Sequence, residues 1–390
     1  MINTSQSKKI IFVSYGDSTA ASSWSNIPYL FSKNLEKHGF DLVRLNILPE
    51  PERNLWWNKN VSRYLSIFFP NHQYSYIRSW FFRRETFSKI KQVIARNQDA
   101  YFCIFLNFEF YNRYNDIPSM LFGDWSYDMI ILDRLKRKPY FFEKWFIKYQ
   151  REALKKAQIK ISLFEDTKDI LSKRYKIDVK HLGINVINDL NINHISSEEI
   201  LQAKINSHHI LFIGTVKYIE GAKKLLAAFT ILSKKYPKLH LNFIGIDKKD
   251  IGEWVGIAEN VSFFGYLKKE VEEDNKLYYN LLHSAKVLVN PSEGWAAYSS
   301  SVEAMNYYTP VIIKPYNAFK KDFGSNCDFG YYLENTKIET IANAIENTIF
   351  SENYFSYCKR AKEMVKSFTW EKYIELLIRE MQKVKRASCN

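Results

Sequence analysis

Apolar positions along this chain come in two patterns. Short unbroken runs alternate with longer stretches in which apolar residues recur every three to four positions, and these read as buried strands and amphipathic helices respectively. In the first half the runs are Lys9–Ser14 (KIIFVS), Ala100–Phe108 (AYFCIFLNF), a short strand within Ile117–Tyr127, Ile159–Phe164, and Val179–Asn185 as a last strand with its exit turn. Helices are expected where Ile27, Leu30, Phe31 and Leu35 share a face, over the basic and aromatic stretch Lys136–Ala157, and over Asp166–Tyr175. In the second half the runs are Ile210–Gly214, Leu239–Gly245, Val261–Gly265, Val287–Val289 and Pro310–Ile313. Between them Ala222, Leu225, Leu226, Phe229 and Leu232 line one helical face, as do Leu277, Leu281, Leu282 and Ala285; Trp370, Ile374, Leu377, Ile378 and Met381 line a last one. Strands alternating with helices imply parallel, doubly wound sheets, so the expected class is α/β with two Rossmann-like domains.

A polar stretch rich in Asn, Ser and Glu, Asn188–Ser207, separates the two patterns. The expected organisation is a first domain over 1–190, a linker over 191–207, a second domain over 208–368 and a terminal helix over 369–390. The length of 390 residues fits, because one core rarely serves so long a chain.

Lys286–Lys314 (KVLVNPSEGWAAYSSSVEAMNYYTPVIIK) is the stretch with the most chemistry. It reads as strand, polar glycine-containing turn, small-residue helix start and second strand. In open α/β sheets such a turn lies at the carboxyl end of a strand, where ligands sit, and a helix start offers unpaired N–H groups to an anion. Ser299, Ser300 and Ser301 allow close approach of a diphosphate there; plain N-capping is the structural alternative. In the first half, Gly16, Asp17 and Ser18 follow the first strand and are candidates for the acceptor side, against an ordinary strand-to-helix connection. Asp124 is the first-domain candidate for touching substrate at the end of its strand, with helix capping as the competing role.

The formal charge of +14 calls for a polyanionic neighbour. Residues 53–96 hold nine Lys and Arg (Arg53, Lys59, Arg63, Arg78, Arg83, Arg84, Lys89, Lys91, Arg96) against one acid, Glu85, interleaved with Trp56, Trp57, Phe68, Phe69, Trp80, Phe81 and Phe82. Aromatics beside bases suit an anionic membrane interface. The same composition suits single-stranded nucleic acid, ranked last, or a core with a solvated basic face. Cys103, Cys327, Cys358 and Cys389 are scattered without zinc-ligand spacing or a disulfide framework, which fits a reducing cytoplasm, and no metal or cofactor is expected. No run approaches the roughly 18 apolar residues of a spanning helix, so the expectation is a cytoplasmic protein, peripheral on the inner face of the cell membrane.

Five pieces in order, HHILFIGTVKYIEGAKKLLAAF, LHLNFIG, ENVSFFGYL, SAKVLVNPSEGW and SVEAMNYYTPVII, resemble the GT-B glycosyltransferases, in particular the retaining family 4. The resemblance covers nearly the whole chain and is strongest over 208–315. It implies two domains facing across a cleft, with a nucleotide-sugar donor on the second domain and a glycan or lipid-linked acceptor on the first. It also implies transfer with retention, without a metal, and a terminal helix returning to the first domain. The resemblance points to Gly214, Thr215 and Gly221 around the phosphates, Glu293 and Gly294 near the sugar, and Glu303 on the ribose hydroxyls; Asp124 and Glu293 are the catalytic candidates. The chain departs from the family in two places. Where the family carries Gly-Arg and Lys-Gly, Gly214-Thr215 and Glu220-Gly221 stand here, so both cations are missing; Lys217 is the expected substitute, with Lys223 and Lys224 on the solvated face of their helix. Eight positions before Glu303 stands Trp295 rather than a glutamate, Glu293 being ten away. A GT-B-like glycan-binding protein without transferase activity is the alternative.

Overall fold

The computed structural model describes residues 8–20, 24–188, 196–252, 259–294 and 296–389. Trp295, part of the polar stretch at 189–195 and the first seven residues lie outside these.

Two compact units emerge, one of residues 1–183 with 373–390 and one of 184–372. In the first, five strands, β1 (Lys8–Tyr15), β2 (Phe40–Ile47), β3 (Phe102–Phe105), β4 (Ser119–Gly123) and β5 (Ile159–Ser162), pair in parallel in the order β2-β1-β3-β4-β5. Ile10–Val13 and Phe102–Phe105 are buried, as strands covered on both faces must be. Ile11, Val13, Cys103 and Phe105 share a core with Phe87, Ile90 and Ile94 of the helix Trp80–Arg96 and with Leu154 of the helix Phe141–Lys156. The long terminal helix Trp370–Cys389 adds Tyr373 to this unit, its ring 6.1 Å from Phe122 and 6.4 Å from Phe31, and Glu380 accepts from Lys180 at 2.5 Å.

The second unit has six parallel strands, β6 (His209–Ile213), β7 (His240–Ile244), β8 (Val261–Phe263), β9 (Ala285–Asn290), β10 (Val311–Ile313) and β11 (Gly330–Tyr332), ordered β11-β10-β9-β6-β7-β8. The helix Ile219–Lys235 buries the face expected of it, Ala222, Leu225, Leu226, Phe229 and Leu232, against β6, β7 and the helix Ile338–Ile349.

Several expected elements shift. Val179–Asn185 is not a strand: only Lys180 bridges β5, at Ile161. The long helix begins at Phe141 rather than Lys136, because Pro139 disfavours helical backbone in the residue before it. The polar stretch contains a helix, Ser197–Asn206, opened by a capping box in which Ser196 Oγ accepts from the Glu199 amide and Glu199 accepts from the Ser196 amide. Strands β2 and β11 have no counterpart in the sequence reading.

Candidate functional site

Strand order places one switch point in each unit. In the second, β6 connects outward to β7 and β8, and the chain then returns to β9 on the other side, so the loops leaving β6 and β9 flank the crevice where α/β ligands sit. Asn290, the last residue of β9, ties that crevice together. Its Nδ2 donates to the Ile213 carbonyl at 3.1 Å, and its Oδ1 accepts from the Ser292 amide at 3.1 Å. Ser292 is thereby held against the start of the helix Ile219–Lys235. A Cβ on Gly221 would stand 2.1 Å from Ser292 Oγ and 2.9 Å from its amide nitrogen, so only glycine fits there. Gly214 donates to Ile244 at 3.0 Å, and Gly245 (φ +88°) passes so close that its Cβ would lie 2.5 Å from the Gly214 carbonyl oxygen. The exits of β6, β7 and β9 are thus locked backbone to backbone.

Side chains then converge on the β9 loop. Lys224 Nζ donates to Thr336 Oγ1 at 2.6 Å, and that hydroxyl donates to Glu293 Oε1 at 3.1 Å. Lys224 therefore does not lie idle on a solvated face: it is wired through Thr336 to the loop carrying Glu293. Lys223 remains on the surface, 3.8 Å from Glu220. Lys217 sits on the exposed turn Val216–Tyr218, 5.4 Å above the Tyr218 ring, with Thr215 exposed beside it.

After the β9 loop, Ala297 in the left-handed region (φ 61°) starts the helix Tyr298–Asn306. Of the three serines on its first turn, Ser299 is exposed and Ser300 and Ser301 are buried. Ser301 donates its amide to the Ala297 carbonyl at 2.8 Å, and its hydroxyl, like that of Ser292, is buried without a hydrogen-bond partner among the described residues. Glu303, one turn further, accepts from Lys269 Nζ and from the Tyr278 hydroxyl, each at 2.6 Å, and Lys269 also lies 4.1 Å over the Tyr278 ring. Burial, and then the Glu303 charge, push the Tyr278 hydroxyl well above its ordinary pKa, so it stays a donor. The carboxylate is accordingly oriented by two groups from another part of the sequence.

The switch point of the first unit lies between β1 and β3. Asp17 Oδ1 accepts from the Thr19 amide and hydroxyl, both at 2.8 Å, and from Asn46 at 3.2 Å; the Thr19 bonds hold its carboxyl below the usual range. Ser18 is buried, its hydroxyl donating to Asn46 at 3.3 Å and its carbonyl accepting from Ser32 at 3.1 Å; Gly16 donates to Ile47 at 3.3 Å. These bonds shape the loop itself. The sequence reading missed Glu109, just beyond β3, which accepts a hydrogen bond from the Tyr15 hydroxyl at the end of β1. Burial raises the Glu109 pKa, opposed by the Tyr15 bond and the charges of Arg78 and Arg83. Asp124 follows β4 immediately, with its carboxyl bonded to the Trp125 amide at 2.7 Å and its pKa raised by burial. It caps no helix: the next one begins after Ser126.

Among the described residues no three His, Cys, Asp or Glu side chains stand together as metal ligands, and no helix is long and apolar enough to cross a membrane.

Against known proteins, residues 207–349 match the family model of the glycosyl transferases group 1, within the second unit. An uncharacterized glycosyltransferase of Haemophilus influenzae is 23% identical over 221 residues, 55% of this chain and 58% of that relative, so the chain spans less than two thirds of the relative's length. Among solved structures, sucrose-phosphate synthase from Thermosynechococcus elongatus superposes with a TM-score of 0.66 at 14% identity, over 97% of this chain and 100% of the other. WaaG, a glycosyltransferase involved in lipopolysaccharide biosynthesis, does so with a TM-score of 0.60 at 13% identity, over 95% and 99%. At such identities the likeness speaks for the fold alone: two parallel-sheet Rossmann-like units of the GT-B class.

Proposed function

We propose that the protein, whose second unit carries the group 1 glycosyl transferase match, moves a sugar from a nucleoside-diphosphate donor to a glycan or lipid-linked acceptor, with retention, in the assembly of cell-surface polysaccharide or glycolipid. The acceptor would be met at the inner face of an anionic membrane. The observation that carries the reading is the β6/β9 switch point, where a glycine-locked loop pair, a helix start and two lysine-wired glutamates converge.

The chemistry asks for neutralisation of about two to three negative charges on the departing nucleoside diphosphate. First-turn N–H groups of the helix Tyr298–Asn306 supply part of it. The missing family cations at Thr215 and Glu220 leave the rest to lysines nearby. Lys224 lies one helical turn beyond Glu220, and its bond to Thr336 supports it beside Lys217 as the substitute. Glu303, held by Lys269 and Tyr278, is ready to accept from vicinal ribose hydroxyls, and Glu293 is exposed on the loop toward the sugar. No metal enters this scheme. The same two missing cations favour a second reading, a sugar-binding protein of this fold without transfer.

The test is release of nucleoside diphosphate from a panel of nucleotide sugars, comparing wild type with Glu303→Gln and Lys224→Met. Turnover that falls in both variants supports transfer. Turnover unchanged in both overturns the site assignment, and glycan binding with no nucleotide binding favours the second reading.

A further inference from the structure

Residues 51–68 of the first unit form a nearly continuous helical arm: Pro51–Trp57, a π-turn Asn58–Ser62, and Arg63–Phe68. Aromatic rings fasten it at two points. Trp57 packs inward, 5.8 Å from Tyr74 and 5.7 Å from Tyr76. Phe69, just past the arm, meets the rings of Tyr140, Phe141 and Phe142 at 5.0, 6.0 and 5.2 Å. Along the arm five large side chains face outward: Leu55 is 68% exposed, Trp56 61%, Tyr64 63%, Ile67 68% and Phe68 75%. Phe141, 72% exposed, continues the patch across the Phe69 contact, and Phe81, 62% exposed, lies on the helix joined to the arm by the Arg53–Glu85 pair. An apolar patch of this kind marks a surface that something covers.

Charge narrows the occupant. Of the nine bases between 53 and 96, four are engaged internally. Arg53 pairs with Glu50 and Glu85, and Lys89 with Glu85. Arg78 stacks on Tyr127 while donating to the Gln73 carbonyl at 2.7 Å, and buried Arg83 stacks 3.7 Å from the Tyr149 ring centre. Lys59 and Arg63 remain on the arm, and Arg84 lies beside Phe81, 5.3 Å from the ring centre of Trp80, itself exposed; Lys138 and Lys144 flank Phe141. All five are exposed, and none has an ion pair among the described residues. The only acid on the arm is Glu52.

We propose that this arm, with Phe81 and Phe141, seats on an anionic phospholipid surface, its apolar side chains at the headgroup–acyl boundary and Lys59, Arg63, Arg84, Lys138 and Lys144 on lipid phosphates. Leu55 and Ile67 offer no ring for a nucleobase to stack on, whereas an interfacial helix uses aliphatic and aromatic residues alike. A second copy of a chain carrying +14 brings like charge to the patch and is disfavoured. The inference deepens the membrane part of the function proposed above by naming the face that docks.

The experiment is sedimentation of the full chain with vesicles of phosphatidylcholine alone or mixed in equal parts with phosphatidylglycerol, in parallel with retention on single-stranded DNA. Three proteins are compared: wild type, an apolar variant (Leu55→Ser, Trp56→Ser, Ile67→Ser, Phe68→Ser) and a charge variant (Lys59→Ser, Arg63→Ser, Arg84→Ser). Every substituted side chain is exposed, and circular dichroism confirms that the variants fold. Wild type is expected to sediment with the mixed vesicles and not with phosphatidylcholine alone. Each base is worth about a fivefold factor in partition, so the charge variant should lose roughly a hundredfold, and the apolar variant should lose at least as much. The proposal is overturned if wild type stays in the supernatant, if the apolar variant sediments like wild type, or if DNA is retained more tightly than vesicles. Nucleotide-sugar binding, measured on the same samples, separates failure of the docking face from failure of the transferase reading: loss of one leaves the other standing.

Discussion

The two switch points show how differently the same topology can be furnished. At β1/β3 the polar groups bond to hydroxyl and amide partners and, among the described residues, to no cation: Asp17 to Thr19 and Asn46, Ser18 to Asn46 and Ser32, Glu109 to the Tyr15 hydroxyl. At β6/β9 the carboxylates are wired to cations brought from afar, Glu303 to Lys269 and Glu293 through Thr336 to Lys224. A site furnished with oriented carboxylates and nearby ammonium groups suits a ligand that carries both hydroxyls and phosphates.

The largest effect that would break this contrast is on ligand affinity. Glu303→Ala removes a charged acceptor worth about 1.5–3 kcal/mol, so nucleoside-diphosphate binding should weaken about tenfold to over a hundredfold by calorimetry. Glu109→Gln, in the other unit, should leave that affinity unchanged; an equal loss in both would erase the distinction.

A smaller effect concerns the lock between Gly221 and Ser292. The added methyl of Gly221→Ala meets Ser292 Oγ and should cost about 1–3 kcal/mol in urea unfolding, with Ser292→Gly in the same chain restoring part of it. An unchanged midpoint would mean that the two loops are not held together as described.

The smallest is a pH slope expected of the second unit. Lys204 is fully buried, donating to the Leu282 carbonyl at 2.5 Å, and burial pushes its pKa well below the ordinary lysine value. The unfolded chain therefore binds a proton that the folded one releases. Stability should rise with pH across the window between the lowered value and about 10.5, at most by about 1.4 kcal/mol per pH unit. Lys204→Met should flatten that slope in denaturant titrations from neutral to alkaline pH, and a slope equal to wild type would count against a neutral buried lysine.

How far the sequence was legible follows from which contacts are local. Buried strands such as β1 and β9 are unbroken apolar runs, and the face of the helix Ile219–Lys235 repeats at helical spacing, so both units could be anticipated. The edge strand β2 could not, because half-exposed backbone lets Asp41, Arg44 and Asn46 interrupt its apolar run. β11 is only Gly330–Tyr332, too short to carry a period. In the site, the loops and the helix start were legible from glycine and serine at strand ends. Lys269 stands 34 positions before Glu303 in a featureless polar run, and only the packing of β8, the helix Glu272–Ser284 and β9 brings it there. Lys224 looked like the solvated side of its helix for the same reason, since its partner Thr336 is 112 residues away.

The central claim is that the β6/β9 mouth binds a nucleoside diphosphate through Glu303 and Lys224. A thermal-shift titration of the full chain with nucleoside diphosphates and their sugars tests it most directly, because a ligand that binds only the folded state raises the midpoint by mass action. The account predicts a rise for at least one of them, needing about tenfold to over a hundredfold more ligand in Glu303→Ala and reduced in Lys224→Met. A flat response across the panel, or a rise of unchanged size at the same ligand concentrations in both variants, would contradict it.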